Sequence, residues 1–397
     1  MKKYEKQILI SVDPGYDGTK VTVNGERFDF PKETVKKVGN EYEQLDTLDG
    51  IYELEMNGET YLCGPNIKVL VDENSDFHKR LGKSAEQDSN YSYFATKEFA
   101  ANCMTAISMA LIKAADKGIC SSKKVKDAYS LDVDSDNLYI VVELPHEAME
   151  RMAASVVNEL VGTHKLHLKA DVVDGNKDYN VSFEIGENKL LVMSQVIAAL
   201  VGYMTDEEGN EIDALQDLYP TLVIDGGYYT VGDFSISKTQ AILNAASKTD
   251  FGMLAIHERT AARINDELGT KYQGYDMDHL FEEEEGIVVI PKTVSKSGKN
   301  ESVDVTTILE EETEKLFAEY LDYLEQKHNY FTKLKQILFA GGTGKIYYEL
   351  FKKHLKDYPN LKSVQLVTYE LDETTVTPRE AISAGGYKLL ANKVIGR

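Results

Sequence analysis

The chain has 397 residues, of which 44 are basic and 66 acidic, giving a formal net charge of −22 with 42% hydrophobic and 28% charged residues. That length exceeds one ordinary core and predicts two or more domains, while no stretch approaches the ~18–20 apolar residues of a membrane span. The negative field opposes binding to phosphate backbones unless a local basic patch overrides it, so no direct nucleic-acid contact and no membrane partner are expected.

Cys63, Cys103 and Cys120 are odd in number and lack CxxC spacing, which predicts neither a disulfide framework nor a zinc cluster and suits a reducing cytoplasm. The start, Met1-Lys2-Lys3-Tyr4-Glu5-Lys6, runs into a short apolar segment that Asp13 ends. No signal peptide is expected.

In chain order, residues 7–30 read as strand, turn, strand, turn, strand, with Asn24-Gly25 suited to a tight type I′ hairpin. A second hairpin at Tyr52–Cys63 pivots on Asn57-Gly58. Phe94–Lys117 carries apolar residues at helical spacing and Gly118 stops it. Leu138–Leu144 is a continuous apolar run ended by Pro145, as a buried parallel strand requires. Glu147–Leu160 then reads as a helix, and Lys165–Ala170, Tyr179–Ile185 and Lys189–Met193 as strands.

Near Thr221 the pattern begins again. The strand Thr221–Ile224 meets Asp225-Gly226-Gly227, and Tyr228–Ile236 alternates like a returning arm. Helices are predicted at Phe251–Leu268, Asp304–Gln326 and Lys345–Leu355, strands at Gln336–Phe339 and Ser363–Thr368, and a last helix at Pro378–Lys393. Lys292–Glu301 and Glu282–Glu285 read as solvated surface.

Three glycine turns follow apolar strands directly: Asp13-x-Gly15, Asp225-x-Gly227 and Gly341-Gly342-Thr343-Gly344. Glycine lets backbone N–H groups close on phosphate oxygens without a Cβ in the way. A carboxylate beside phosphates repels them unless a divalent cation intervenes, so Asp13 and Asp225 imply Mg²⁺, held mostly through water. A P-loop is excluded, because Phe339 stands where its first glycine belongs and Ile346 where its Ser or Thr belongs. The dinucleotide fingerprint fails too, since Gly15 and Gly18 open a hairpin and not a helix.

The order and spacing of these segments resemble the actin superfamily. Ile10–Lys20, with Asp13, Gly15, Tyr16, Asp17, Gly18 and Lys20, looks like its first phosphate motif, and Lys20 falls where the family keeps a phosphate-reaching lysine. Val223–Thr230, with Asp225, Gly226, Gly227, Tyr228, Tyr229 and Thr230, resembles the second. Ile337–Gly344, with Gly341, Gly342, Thr343 and Gly344, resembles the adenosine motif. Met193–Leu200 looks like the first connecting helix, in which the family's Gln or Glu, here Gln195, orients the attacking water, and Ala381–Tyr387 is similar to the second.

The resemblance implies an actin-like ATPase fold of class α/β, with two related, ribonuclease H-like α/β domains flanking a nucleotide cleft. The first would comprise residues 1–200 plus 376–397 and the second 201–375. The plasmid-segregation actins of the ParM type are the nearest pattern. They imply a cytoplasmic ATPase that binds Mg-ATP, polymerises with itself and reaches DNA through a basic, ParR-like adaptor; GTP stays open as a competing nucleotide. Gln195, Asp225 and Asp13 are the expected catalytic residues, and Asp13 and Asp225 the water-mediated metal ligands.

One departure concerns the second phosphate motif, where many of those proteins keep another Asp seven residues after the first. Here that place is Gly232, and a carboxylate follows at Asp233. Either the hairpin bulges by one residue or water activation leans on Asp13, Asp225 and Gln195. Two other readings remain: a small-molecule kinase of the same superfamily, for which Asp132, Asp134 and Asp136 are the available extra carboxylates, and a non-enzymatic actin-like scaffold.

Overall fold

Seven of the eight residues of β1 (Ile8–Gly15) are buried, as an unbroken apolar run predicts for a strand covered on both faces. It is the central strand of the first of two units in a computed structural model that describes residues 6–16, 18–37, 50–67, 91–171, 176–237, 242–277, 282–284, 287–293, 300–369 and 376–395. The chain divides into one unit of Met1–Asp217 with Tyr369–Arg397 and another of Leu218–Thr368.

In the first unit β1 is followed by β2 (Gly18–Val23), β3 (Glu26–Phe30), β4 (Val35–Lys36), β5 (Tyr52–Met56), β6 (Glu59–Cys63), β7 (Ser122–Val125), β8 (Ala128–Asp132), β9 (Leu138–Leu144), β10 (Gly162–Asp171), β11 (Asn176–Ile185) and β12 (Leu190–Ser194). One sheet has the order β12-β9-β1-β2-β3 and a second the order β4-β6-β5-β10-β11-β8-β7. The β2–β3 and β5–β6 turns place Asn24-Gly25 and Asn57-Gly58 at positive φ, the geometry that makes Asn-Gly a hairpin signal.

Helices α1 (Lys97–Asp116), α2 (His146–Leu160), α3 (Gln195–Met204) and the C-terminal helix Ala381–Ile395 pack in this unit. Thr96 caps α1, its hydroxyl accepting from the Phe99 amide at 3.2 Å. The α3 and C-terminal helices meet backbone to backbone. A Cβ at Gly385 would lie 1.8 Å from the Ala198 carbonyl oxygen, and one at Gly202 would lie 3.1 Å from the Gly385 Cα. Lys388 then reaches back to donate to the carbonyls of Gly202 and Thr205 at the end of α3, at 3.1 and 3.0 Å.

The second unit is built from β13 (Thr221–Gly226), β14 (Val231–Ile236), β15 (Ile242–Lys248), β16 (Glu282–Glu284), β17 (Ile287–Thr293), β18 (Asn300–Asp304), β19 (Gln336–Ala340) and β20 (Gln365–Thr368). Its main sheet, β15-β14-β13-β19-β20, repeats the strand order and senses of the first unit's β3-β2-β1-β9-β12. Helix α4 (Met253–Leu268) ends at Gly269, which takes the left-handed conformation. From α5 (Thr306–Lys327) and α6 (Gly342–His354), Phe317, Tyr320, Leu324, Tyr347 and Phe351 pack with Leu222, Ile224 and Phe339 of the sheet.

The structure moves several sequence-predicted boundaries. Helix α6 begins at Gly342, so the third glycine turn is itself a helix N-terminus. Met193 and Ser194 belong to β12, and the first connecting helix begins at Gln195. Pro378 lies in a turn ahead of the last helix. Lys292–Glu301 includes the ends of a strand pair with Lys292 opposite Glu301, while residues 294–299 lie outside the described residues. The pairs β7–β8 and β14–β15 had no sequence forecast.

Candidate functional site

In the first unit the β1–β2 hairpin closes with Gly15 opposite Gly18. Asp17 lies outside the described residues. Cross-strand register sets Asp13 beside Lys20 and Lys20 beside Asp29 on one face of the sheet. Asp13 and Lys20 are 2% and 5% exposed. Gln195, the first residue of α3, donates from Nε2 to Asp13 Oδ1 at 2.7 Å. Sheet order explains the meeting, because β12 carries Gln195 to the same sheet end and its side chain spans β9. A simple exposed helix start would not bury this glutamine to 8%.

Tyr16 packs its ring among Tyr93 and Phe94, with centroids 6.4 and 6.3 Å away, and the Lys32 ammonium lies 4.0 Å from its ring centre. Thr19 donates to Asn102 Oδ1 at 2.6 Å, and Asn102 donates to the Lys32 carbonyl at 3.1 Å. These bonds hold the segment after β3 against the hairpin. Sequence reasoning named neither Lys32 nor Asn102.

It also passed over Glu143, whose carboxyl interrupts an otherwise apolar strand. Glu143 follows Val142, the register partner of Val12, and so stands beside Asp13. Ser11 donates to Glu143 Oε1 at 2.5 Å, while Oε2 is buried with no hydrogen-bond partner. Burial first, and then the charge of Asp13, push this carboxyl well above the ordinary range. The folded state therefore favours the protonated form. Its stabilising contribution is complete below the unfolded pKa and is lost as pH rises toward the folded value. Glu143→Gln is expected to make unfolding less pH-dependent, the wild type losing up to about 1.4 kcal/mol per pH unit relative to the variant in that window. Urea melts from pH 5 to pH 8 check this; parallel pH profiles would contradict it.

In the second unit Asp225, 8% exposed, is the penultimate residue of β13. Gly227 donates its amide to Thr230 O at 2.9 Å, closing a turn over Tyr228 and Tyr229, and the Leu254 amide of α4 donates to Tyr228 O at 2.8 Å. The third glycine segment is packed onto this turn. A Cβ at Gly226 would lie 2.2 Å from Gly344 N, and one at Gly341, whose φ is +77°, would lie 2.2 Å from Gly226 O and 3.0 Å from Asp225 Oδ1. Thr343 donates its hydroxyl to Gly227 O at 2.8 Å. Gly226 and Gly341 are thus demanded by turn-on-turn packing. Together they set the N-terminus of α6, beginning at Gly342, beside Asp225.

Asp233 is elsewhere. Asp225 pairs with Gly232 and Ile224 with Asp233, so the two carboxylates leave opposite faces of the sheet. The irregularity in this region falls on the β14–β15 side, between Asp233 and Ser235, and leaves the β13–β14 register intact. Asp233 is fully covered and accepts from Lys327 Nζ at 2.5 Å, bonds His328 Nε2 at 2.8 Å and accepts from Tyr323 at 3.3 Å. It anchors the end of α5. Asp134 is engaged locally, Oδ1 accepting from the Asp136 amide at 3.1 Å and Oδ2 from Asn137 at 2.7 Å, while Asp136 and Asp132, the latter at the end of β8, are exposed.

Among the described residues no group of three or more His, Cys, Asp or Glu side chains is placed to hold a metal ion. Asp13 in the first unit and Asp225 in the second are hard carboxylate donors, which fits Mg²⁺ carried by phosphates and water and not an all-protein cage. No helix of the described residues is long and apolar enough to cross a membrane.

Residues 11–197 match the family of actin like proteins N terminal domain. The structure is similar to that of apo psk41 ParM at a TM-score of 0.62 with 12% identity, covering 99% of this chain and 100% of that one. It is similar to Bacillus thuringiensis ParM with AMPPNP at 0.56 and 12%, covering 98% and 99%. The Alp12 filament structure gives 0.54 and 15%, with 98% and 99% covered. No curated protein matches the sequence.

Proposed function

Because this chain has the actin-like fold, we propose that it is an ATPase that assembles into filaments and that the glycine turns after Asp13 and after Asp225 are its phosphate-binding segments. The observation that carries the proposal is the 2.7 Å bond from Gln195 to Asp13. It joins two buried residues 182 positions apart at the mouth of a glycine hairpin. The similar ParM structure with AMPPNP and the similar Alp12 filament support the same reading.

Backbone N–H groups near Gly15 and Gly227 bind phosphate oxygens, and Lys20 adds positive charge beside Asp13. Mg²⁺ bound with the nucleotide supplies the charge neutralisation that lets Asp13 and Asp225 approach phosphates. Asp13 and Asp225 are the carboxylates that would hold the hydrated ion, and Gln195, bonded to Asp13, would orient the attacking water. An amide is a poor base, so Gln195 aligns that water and does not deprotonate it, and turnover is slow until assembly improves the alignment. Gly341, Gly342, Thr343 and Gly344 support the nucleoside end.

At the level of the cell, the net charge of −22 suits a basic, ParR-like adaptor linking filaments to plasmid DNA. Asp225→Ala is expected to keep the fold, since the change leaves the backbone pairing of β13 intact, and to lose ATP turnover by roughly 100-fold or more. Circular dichroism and phosphate release measured on one preparation test this; hydrolysis at the wild-type rate would remove Asp225 from the mechanism.

A further inference from the structure

The first unit carries a basic edge that the nucleotide chemistry does not use. Ser121–Asp127 are all exposed, and β7 within them supplies Lys123, Lys124 and Val125, with Lys126 next in the turn. In a chain with 22 more acidic than basic residues, three lysines in four positions stand against the overall composition. Among the described residues β7 ends its seven-stranded sheet and pairs only with β8, so its outer edge presents backbone donors and acceptors that no described strand takes up. Val125 is 54% exposed, one of the large apolar side chains left on the surface. The lysines have a firm base: the ammonium groups of Lys124 and Lys177 lie 5.9 and 5.6 Å from the ring centre of Tyr129, which stacks on Tyr179 at 5.6 Å.

We propose that this lysine edge, with Val125 at its centre, is an assembly contact that docks on an acidic face of a second copy of the chain. The proposal rests on the filament reading and deepens it. Two copies at −22 repel at long range, and self-assembly needs a place where the sign is reversed. Screening confines that attraction to about 8 Å at physiological salt, so a local patch is sufficient once surfaces are close. A nucleic acid would meet the same lysines only by entering the field of the whole acidic chain. Lysines on an edge strand also guard against stray strand pairing, a duty that other charged side chains share. Charge reversal separates the two roles.

The test compares the full-length wild type with K123E/K124E/K126E and K123Q/K124Q/K126Q by pelleting and light scattering in Mg-ATP across a NaCl series. Binding of a fluorescent ATP analogue and a duplex-DNA gel shift are measured in parallel. The expected result is a critical concentration raised about tenfold or more by the reversal, less by the glutamines, with nucleotide affinity unchanged and the wild type weakening as salt rises. Assembly of the reversed variant at the wild-type critical concentration overturns the proposal. So does DNA binding by the wild type that the variants lose while assembling normally. If the wild type itself fails to assemble in Mg-ATP, the filament reading falls first and this contact with it.

Discussion

Gln195→Ala is expected to slow phosphate release by roughly 100-fold while ATP affinity stays within a few-fold of the wild type. The side chain is held by one bond, to Asp13 Oδ1. Its loss removes an alignment and leaves the hairpin amides, Lys20 and both aspartates in place. Filaments of this variant should therefore form in ATP and persist, because disassembly waits on hydrolysis. Single-turnover phosphate release together with filament lifetime by light scattering tests the pair of effects; unchanged release would show that another group orients the water.

Gly385→Ala has a different target and a larger structural cost. Its added methyl would sit 1.8 Å from the backbone oxygen of Ala198, with Gly202 N 3.0 Å away. Both obstacles are backbone, so no rotamer change relieves them, and the two connecting helices must separate. Overpacking of this kind costs about 3 kcal/mol or more, a large share of ordinary domain stability. A suitable control is Gly58→Ala, whose Cβ would meet nothing within 4 Å and whose φ of +78° alone carries the penalty, about 1 kcal/mol. Urea unfolding midpoints of the two variants should differ widely, and equal midpoints would contradict the close helix crossing.

Local chemistry was the legible part of this chain. Asn24-Gly25 and Asn57-Gly58 form the turns their residue types dictate, with positive φ at all four positions. The glycine segments that follow Asp13, Asp225 and Phe339 end buried strands, as their apolar lead-in sequences require. What sequence could not display was which distant residues share a place. Glu143 looks like a flaw in an apolar strand until β9 is paired with β1, which brings it to Ser11 and Asp13.

Asp233 posed a choice between a shifted catalytic carboxylate and an unrelated one, and only the cross-strand register resolves which face it occupies. Gly226 and Gly341 show the same limit from another side. Ligand chemistry alone accounts for a glycine at either position, yet the contact between their two turns is what excludes a side chain. The β7–β8 hairpin was invisible because its turn, at Lys126-Asp127, uses a positive-φ lysine where glycine or asparagine would have marked it.

The most direct trial of the account is electron microscopy of the purified full-length chain at one concentration, without nucleotide, with Mg-ATP and with Mg-ADP. Filaments that appear in Mg-ATP and disappear as ATP is consumed are the predicted outcome. Particles that stay dispersed under all three conditions, or filaments equally abundant without nucleotide, would contradict the coupling of ATP to assembly on which the account rests.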